Sequence, residues 1–161
     1  MKYVLFVLIA VVLGLCACSS IDCPVQNTVR TLYVLKKSNQ KGDTLKDTLN
    51  VVTFTLNRKD TTLLAGAIGK TSFSLPVSYA NPEDTLYFLF RNGTYRVTDT
   101  VWVKKENYPH FESVDCNAAF FHKITAIRSS HYAIDSICIK NPSVTYDPTT
   151  EPFYIYIKAR R

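Results

Sequence analysis

The residues best equipped for chemistry are five cysteines, Cys16, Cys18, Cys23, Cys116 and Cys138, and three histidines, His110, His122 and His131. A thiol attacks a carbonyl when an imidazole takes its proton, and Cys116 with His122 is the pairing close enough in sequence to consider. Thiols and imidazoles also ligate zinc, but the sequence has no Cys-x-x-Cys, His-x-His or His-x-x-x-His spacing. Glu83 and Asp84 are adjacent carboxylates, and neighbours on a strand point to opposite faces, so they make no general acid–base pair. A Gly-x-Ser-x-Gly elbow and a phosphate-cradling glycine loop are absent, and the chain has only five glycines. The residues therefore predict no enzyme, no metal and no cofactor.

Two of the cysteines sit where a different reaction is available. Lys2 precedes an almost wholly apolar run from Tyr3 to Leu15, followed by Leu15-Cys16-Ala17-Cys18. The run is shorter than the roughly 20 residues a spanning helix needs, so it reads as an export signal. Its end resembles the lipobox of bacterial lipoproteins: Leu, a small residue, Ala, then the Cys that takes lipid. Cys18 fits that last place, whereas Cys16 follows bulky Leu15. This implies a signal over residues 1–17, a lipid-anchored tether over 18–27 and a single β-sandwich domain over 28–161. An ordinary secretory signal cut nearby is the alternative.

Export leaves Cys23, Cys116 and Cys138, and three thiols in an oxidising compartment imply one bridge and one leftover. Cys138 lies between Ile137 and Ile139 in a strand-like run, where a free thiol packs as a small residue. Cys23 and Cys116 both follow Asp in loop-like sequence, so Cys23–Cys116 is the expected disulfide. Closing so long a loop would contribute about 4–5 kcal/mol on the chain-entropy model.

The remaining chain is long enough for one real core, and its 47% hydrophobic and 20% charged residues are those of a globular protein. A formal charge of +6 raises the question of nucleic acid. Export removes that partner, and Lys36-Lys37, Arg58-Lys59, Lys104-Lys105 and Arg160-Arg161 are scattered pairs of a solvated surface rather than a stripe.

Strand patterns run over 28–36, 49–57, 61–64, 71–75, 86–90, 95–103, 118–129, 134–141 and 153–158, with no sustained helical period. Asn92-Gly93 predicts a two-residue type I′ hairpin in which Phe90 faces Tyr95 and Phe88 faces Val97, with Val101 and Val103 continuing the core face. The other face carries Tyr87 and Trp102. In the last strand Phe153, Ile155 and Ile157 alternate with Tyr154 and Tyr156. Asp-Thr recurs at Asp43, Asp47, Asp60, Asp84 and Asp99, where Asp would close a turn and Thr begin a strand. The pattern predicts an all-β protein, an antiparallel β-sandwich of immunoglobulin-like or transthyretin-like kind. Two small β units split near 107–109 are the alternative. Tyr87, Trp102, Tyr154 and Tyr156 are the candidate binding surface.

Several phrases together resemble uncharacterised lipoproteins of the Bacteroidota that carry a domain of unknown function. They are Ser20-Ile21-Asp22-Cys23-Pro24, Ser74 to Tyr79, Asp84-Thr85-Leu86, Phe111 to Cys116 and Ile134 to Ile137. The resemblance implies a Gram-negative envelope lipoprotein and makes Cys23 and Cys116 look like a matched pair; it implies no activity, ligand or catalytic residue. Ser19 after Cys18 is unlike an inner-membrane retention signal and suggests the outer membrane. One acid, Asp22, is fewer than the acidic run that surface display resembles, which favours the periplasm-facing leaflet. The expected protein is a lipid-anchored, non-catalytic envelope protein with a binding or structural role. Its partners would be the membrane and an envelope protein or glycan. A surface-exposed glycan-binding accessory is the alternative, and an envelope enzyme the second.

Overall fold

The computed structural model describes residues 29–54, 60–147 and 149–159. Ten strands follow one another: β1 (Arg30–Leu35), β2 (Thr48–Phe54), β3 (Asp60–Ala67), β4 (Ser72–Pro76) and β5 (Glu83–Asn92), then β6 (Tyr95–His110), β7 (Ala119–Ser129), β8 (Ile134–Ile139), β9 (Ser143–Val144) and β10 (Phe153–Ile157). They form a four-stranded sheet ordered β4-β1-β10-β8 and a six-stranded sheet ordered β3-β2-β5-β6-β7-β9. The sheets face each other as a β-sandwich, so the all-β expectation holds. All pairings between named strands are antiparallel except β1 with β10, which pair parallel through Tyr33 and Phe153.

Period-two alternation sets the core. Tyr33 and Phe73 from the smaller sheet each meet Phe88 from the larger one at 5.9 Å between ring centroids, and Tyr33 also meets Phe73 at 5.1 Å and Phe153 at 4.8 Å. Leu49, Val51, Phe90 and Val101 extend this layer, each at most 1% exposed. Offset and edge-on contacts of this kind add to area burial.

The central hairpin departs from the expected register. Asn92 pairs with Tyr95, Phe90 with Val97 and Phe88 with Asp99. The two-residue loop is therefore Gly93-Thr94, with Gly93 at φ 56° in the first central position and Thr94 outside the positive-φ residues. That is the type II′ arrangement rather than type I′. The shift is two residues, so the inward face is unchanged. Gly66 makes a second adjustment. It sits in β3 at φ 63°, Ala65 and Gly66 together oppose Asn50, and the Gly66 N–H donates to Asn50 Oδ1 at 2.8 Å. This bulge lets β3 continue to Ala67 where a break was expected.

The alternative of two units split near 107–109 fails, because β6 runs unbroken from Tyr95 to His110 and pairs with β7 over that stretch. Strand ends sort the connections into two groups. Residues 36–47, Gly93-Thr94 and 158–159 lie at one end of the sandwich. Residues 77–82, 111–118, 140–147 and 149–152 lie at the other, as does Val29, whose carbonyl accepts the Val77 N–H at 3.1 Å.

Candidate functional site

A cleft of about 890 Å³ opens at the end formed by residues 36–47. Its floor is fixed by the backbone: Leu45 is 4% exposed, its N–H donates to Lys70 O at 2.9 Å, and its carbonyl accepts from Gly69 at 2.9 Å. One wall is a tight turn in which Gln40, at φ 64°, donates to Lys37 O. The Tyr156 hydroxyl donates to Gln40 Oε1 at 3.1 Å and ties that turn to β10. Lys36, Lys37, Lys46 and Lys158 line the cleft, with Asp43, Asp47 and Asp135 between them. Four ammonium groups and three carboxylates suit a polar ligand carrying charge, held by charge-assisted hydrogen bonds. Among the described residues no group of three or more His, Cys, Asp or Glu is placed to hold a metal ion.

The four expected aromatics do not make one surface. Tyr87 and Trp102 share the outer face of the six-stranded sheet, while Tyr154 and Tyr156 lie on the outer face of the other sheet. Trp102 is half-buried under Arg128, whose guanidinium carbon is 4.0 Å from the ring centroid and whose Nη2 bonds Glu83 at 3.2 Å. Tyr87 meets the edge of Phe54 at 5.0 Å. Lys36 covers the Tyr154 ring at 4.6 Å, and the Tyr154 hydroxyl donates to Glu151 at 2.8 Å. Only Tyr156 of the four lines the cleft. Cys18 and Cys23 lie outside the described residues. Cys116 is 7% exposed, and the free thiol among the described residues is Cys138, which is exposed rather than packed.

Residues 49–157, from β2 through β10, match the model of a family of unknown function, DUF6452. The chain belongs to that family. Comparison with curated proteins and with solved structures returns no match. The DUF6452 stretch begins after the 36–47 wall, so the cleft is built partly from residues outside it.

Within the DUF6452 stretch Asp99, Lys105 and His122 are buried, with partners that the sequence pattern did not give. Asp99, 0% exposed inside β6, accepts hydrogen bonds from Ser130 Oγ and the N–H groups of Tyr132, Ala133 and Ile134 at 2.6–2.7 Å. Lys105, its side chain 0% exposed, pairs with Asp84 at 2.8 Å and donates to Asn81 O at 2.9 Å. His122, 3% exposed, bonds Asn107 Oδ1 through Nδ1 at 2.7 Å, and Asn107 donates to Tyr79 O at 2.9 Å. The Asp-Thr reading thus needs correction: Asp84 and Asp99 are strand residues that pin crossing connections, not turn closers.

Burial first, and the Lys105 ammonium second, lower the pKa of His122 from 6.5 to about 4. Such an imidazole is a weak base, which counts against its service to a thiol. Because the folded value lies below the unfolded one, the contribution of neutral His122 is complete above pH 6.5 and is lost as pH falls towards 4. The expected slope is at most about 1.4 kcal/mol per pH unit in that window. Urea unfolding across pH 7 to 4 should show it in the wild type. His122→Asn, which keeps a donor towards Asn107 without titrating, should flatten it.

Proposed function

We propose that this chain is a lipid-anchored, non-catalytic protein of the bacterial outer membrane that presents its cleft to a ligand or partner away from the bilayer. The observation that carries this reading is polarity. Val29, the first described residue, lies at the end of the sandwich opposite the cleft, so a chain anchored just before it holds the cleft outward. Cys18 is the anchor, its Sγ alkylated by a diacylglycerol, and each buried CH₂ adds about 0.8 kcal/mol of membrane affinity. Cys23 and Cys116 form the structural disulfide, giving two electrons and two protons to the oxidant of the envelope.

Metabolic labelling with a palmitate analogue tests the anchor: wild type should take label and sediment with membranes, and Cys18→Ala should lose both. An unlabelled wild type would overturn the reading. Protease treatment of intact and lysed cells then tests the leaflet. Digestion only after lysis supports the periplasm-facing placement; digestion on intact cells overturns it and makes capture of an external polymer the working function.

A further inference from the structure

We infer that the end of the sandwich carrying the β6–β7 connection rests on the membrane itself, with Tyr79, Phe111 and Val114 seated among lipid headgroups and upper acyl chains. This deepens the anchored reading and rests on it. Three observations converge on that end.

The first is exposed apolar surface. Five of the eight large hydrophobic side chains exposed among the described residues gather there: Val114 at 97%, Tyr79 at 65%, Phe111 at 62%, Tyr108 at 45% and Tyr146 at 36%. Several are held in place by ring contacts rather than left to collapse. Tyr79 stacks on Phe120 at 4.9 Å, and Tyr146 meets the edge of Phe121 at 5.0 Å. Rigid rings with a polar tip suit the water–lipid boundary, where Tyr sits with its hydroxyl in the headgroups.

The second is where the chain enters. Val29 joins the Val77–Pro82 connection, the segment that carries Tyr79. Eleven residue steps separate Cys18 from Val29, at most about 38 Å of extended chain. A Cys23–Cys116 bridge shortens the leash: five steps from Cys18 span at most about 18 Å and end in the same 111–118 connection that carries Phe111 and Val114. With that bridge closed, the anchor holds this end against the bilayer.

The third is charge. Glu106, opposite Lys123, shares this end with Glu112, Asp115, Asp147 and Lys140, whereas the cleft at the far end holds Lys36, Lys37, Lys46 and Lys158 with Asp43, Asp47 and Asp135. A mixed surface of this kind favours zwitterionic lipid and contact through apolar side chains, not attraction to anionic headgroups.

The test uses the full, lipidated protein reconstituted into vesicles of phosphatidylethanolamine and phosphatidylcholine with brominated acyl chains. Flotation reports the anchor, and tryptophan quenching reports the contact. Trp102, the single tryptophan, lies on β6 roughly 30 Å from Phe111 and serves as internal reference. Phe111→Trp should add emission that is blue-shifted and quenched by bromine, unchanged by added salt. Wild type and Ser38→Trp at the cleft end should show neither effect. Protein that floats with Phe111→Trp unquenched, or with Ser38→Trp quenched, overturns the contact while leaving the anchor intact. Protein that fails to float overturns the anchored reading and this inference with it.

Discussion

Asp99→Ala is expected to destabilise the fold by about 3–5 kcal/mol, measured as a lowered urea midpoint at unchanged slope. The carboxylate receives four donors, and alanine leaves the N–H groups of Tyr132, Ala133 and Ile134 without their acceptor. Ser130 can turn its hydroxyl to water, but the Ala133 and Ile134 N–H groups lie in the interior, where an unmet donor costs about 1–3 kcal/mol. Those donors belong to the segment that leaves β7 in one sheet and starts β8 in the other, so their loss frees the crossing. Asp99→Asn keeps one acceptor oxygen but turns an N–H₂ towards donors, and should fall between alanine and wild type. Burial by itself would raise the carboxyl pKa, yet the bonds from Ser130, Ile134, Tyr132 and Ala133 together outweigh it and hold the group below its ordinary value. The sign follows from that depression. The stabilisation is complete above the unfolded value near about 3.9 and disappears as pH falls through the lower folded value. Wild type should therefore lose an acid-dependent part of its stability below about pH 4 that Asp99→Ala never had.

Why Asp99 escaped the sequence pattern shows what a strand sequence reveals and what it hides. The strand pattern over 95–103 spans Asp99, but the Asp-Thr pair reads as a turn closer because Asp is disfavoured in a pleated, half-buried ladder. Its partners, Ser130 to Ile134, are 31 to 35 residues away, and no local signal links them to it. The alternating faces were legible: Phe88 and Phe90 with Val101 and Val103, and Phe153 and Ile155 against Tyr154 and Tyr156, all follow from period two. The hairpin register was not, because loops at Asn92-Gly93 and Gly93-Thr94 bury the same faces and differ only in where the positive φ falls. Parallel pairing of β1 with β10 joins residues 120 apart in sequence, Tyr33 and Phe153 among them, and is equally invisible locally. The cleft was half legible. Tyr156 was singled out for its ring, whereas Lys36, Lys37, Lys46 and Lys158 read as scattered surface charges until the turn at Gln40 and the end of β10 brought them together.

The pair Asp84–Lys105 should respond asymmetrically to substitution. Asp84→Ala leaves a fully buried ammonium that donates to the Asn81 carbonyl but has lost its counter-charge, and should cost about 3–5 kcal/mol. Lys105→Met removes the charge that needs pairing, keeps most of the volume, and leaves Asp84, 12% exposed, able to reach water and to accept the Ser78 N–H at 3.2 Å. It should cost much less. The double variant Asp84→Leu with Lys105→Met should lie near wild type in urea unfolding, because a buried ion pair replaced by apolar groups of similar size is often neutral. If instead the double variant is as weak as Asp84→Ala, the pair supplies stability that apolar packing cannot replace. A second readout separates charge from packing. The Lys105 ammonium helps to lower the pKa of His122, so Lys105→Met should move the His122 titration upward from about 4, while burial still keeps it below 6.5. Proton NMR of the imidazole follows that shift directly. The same variants probe the 77–82 crossing, since Lys105 holds Asn81 and Asn107 holds Tyr79, the residue inferred to meet the bilayer. Asp84→Ala should therefore loosen lipid contact at Tyr79 before flotation changes, because the anchor at Cys18 does not depend on that crossing.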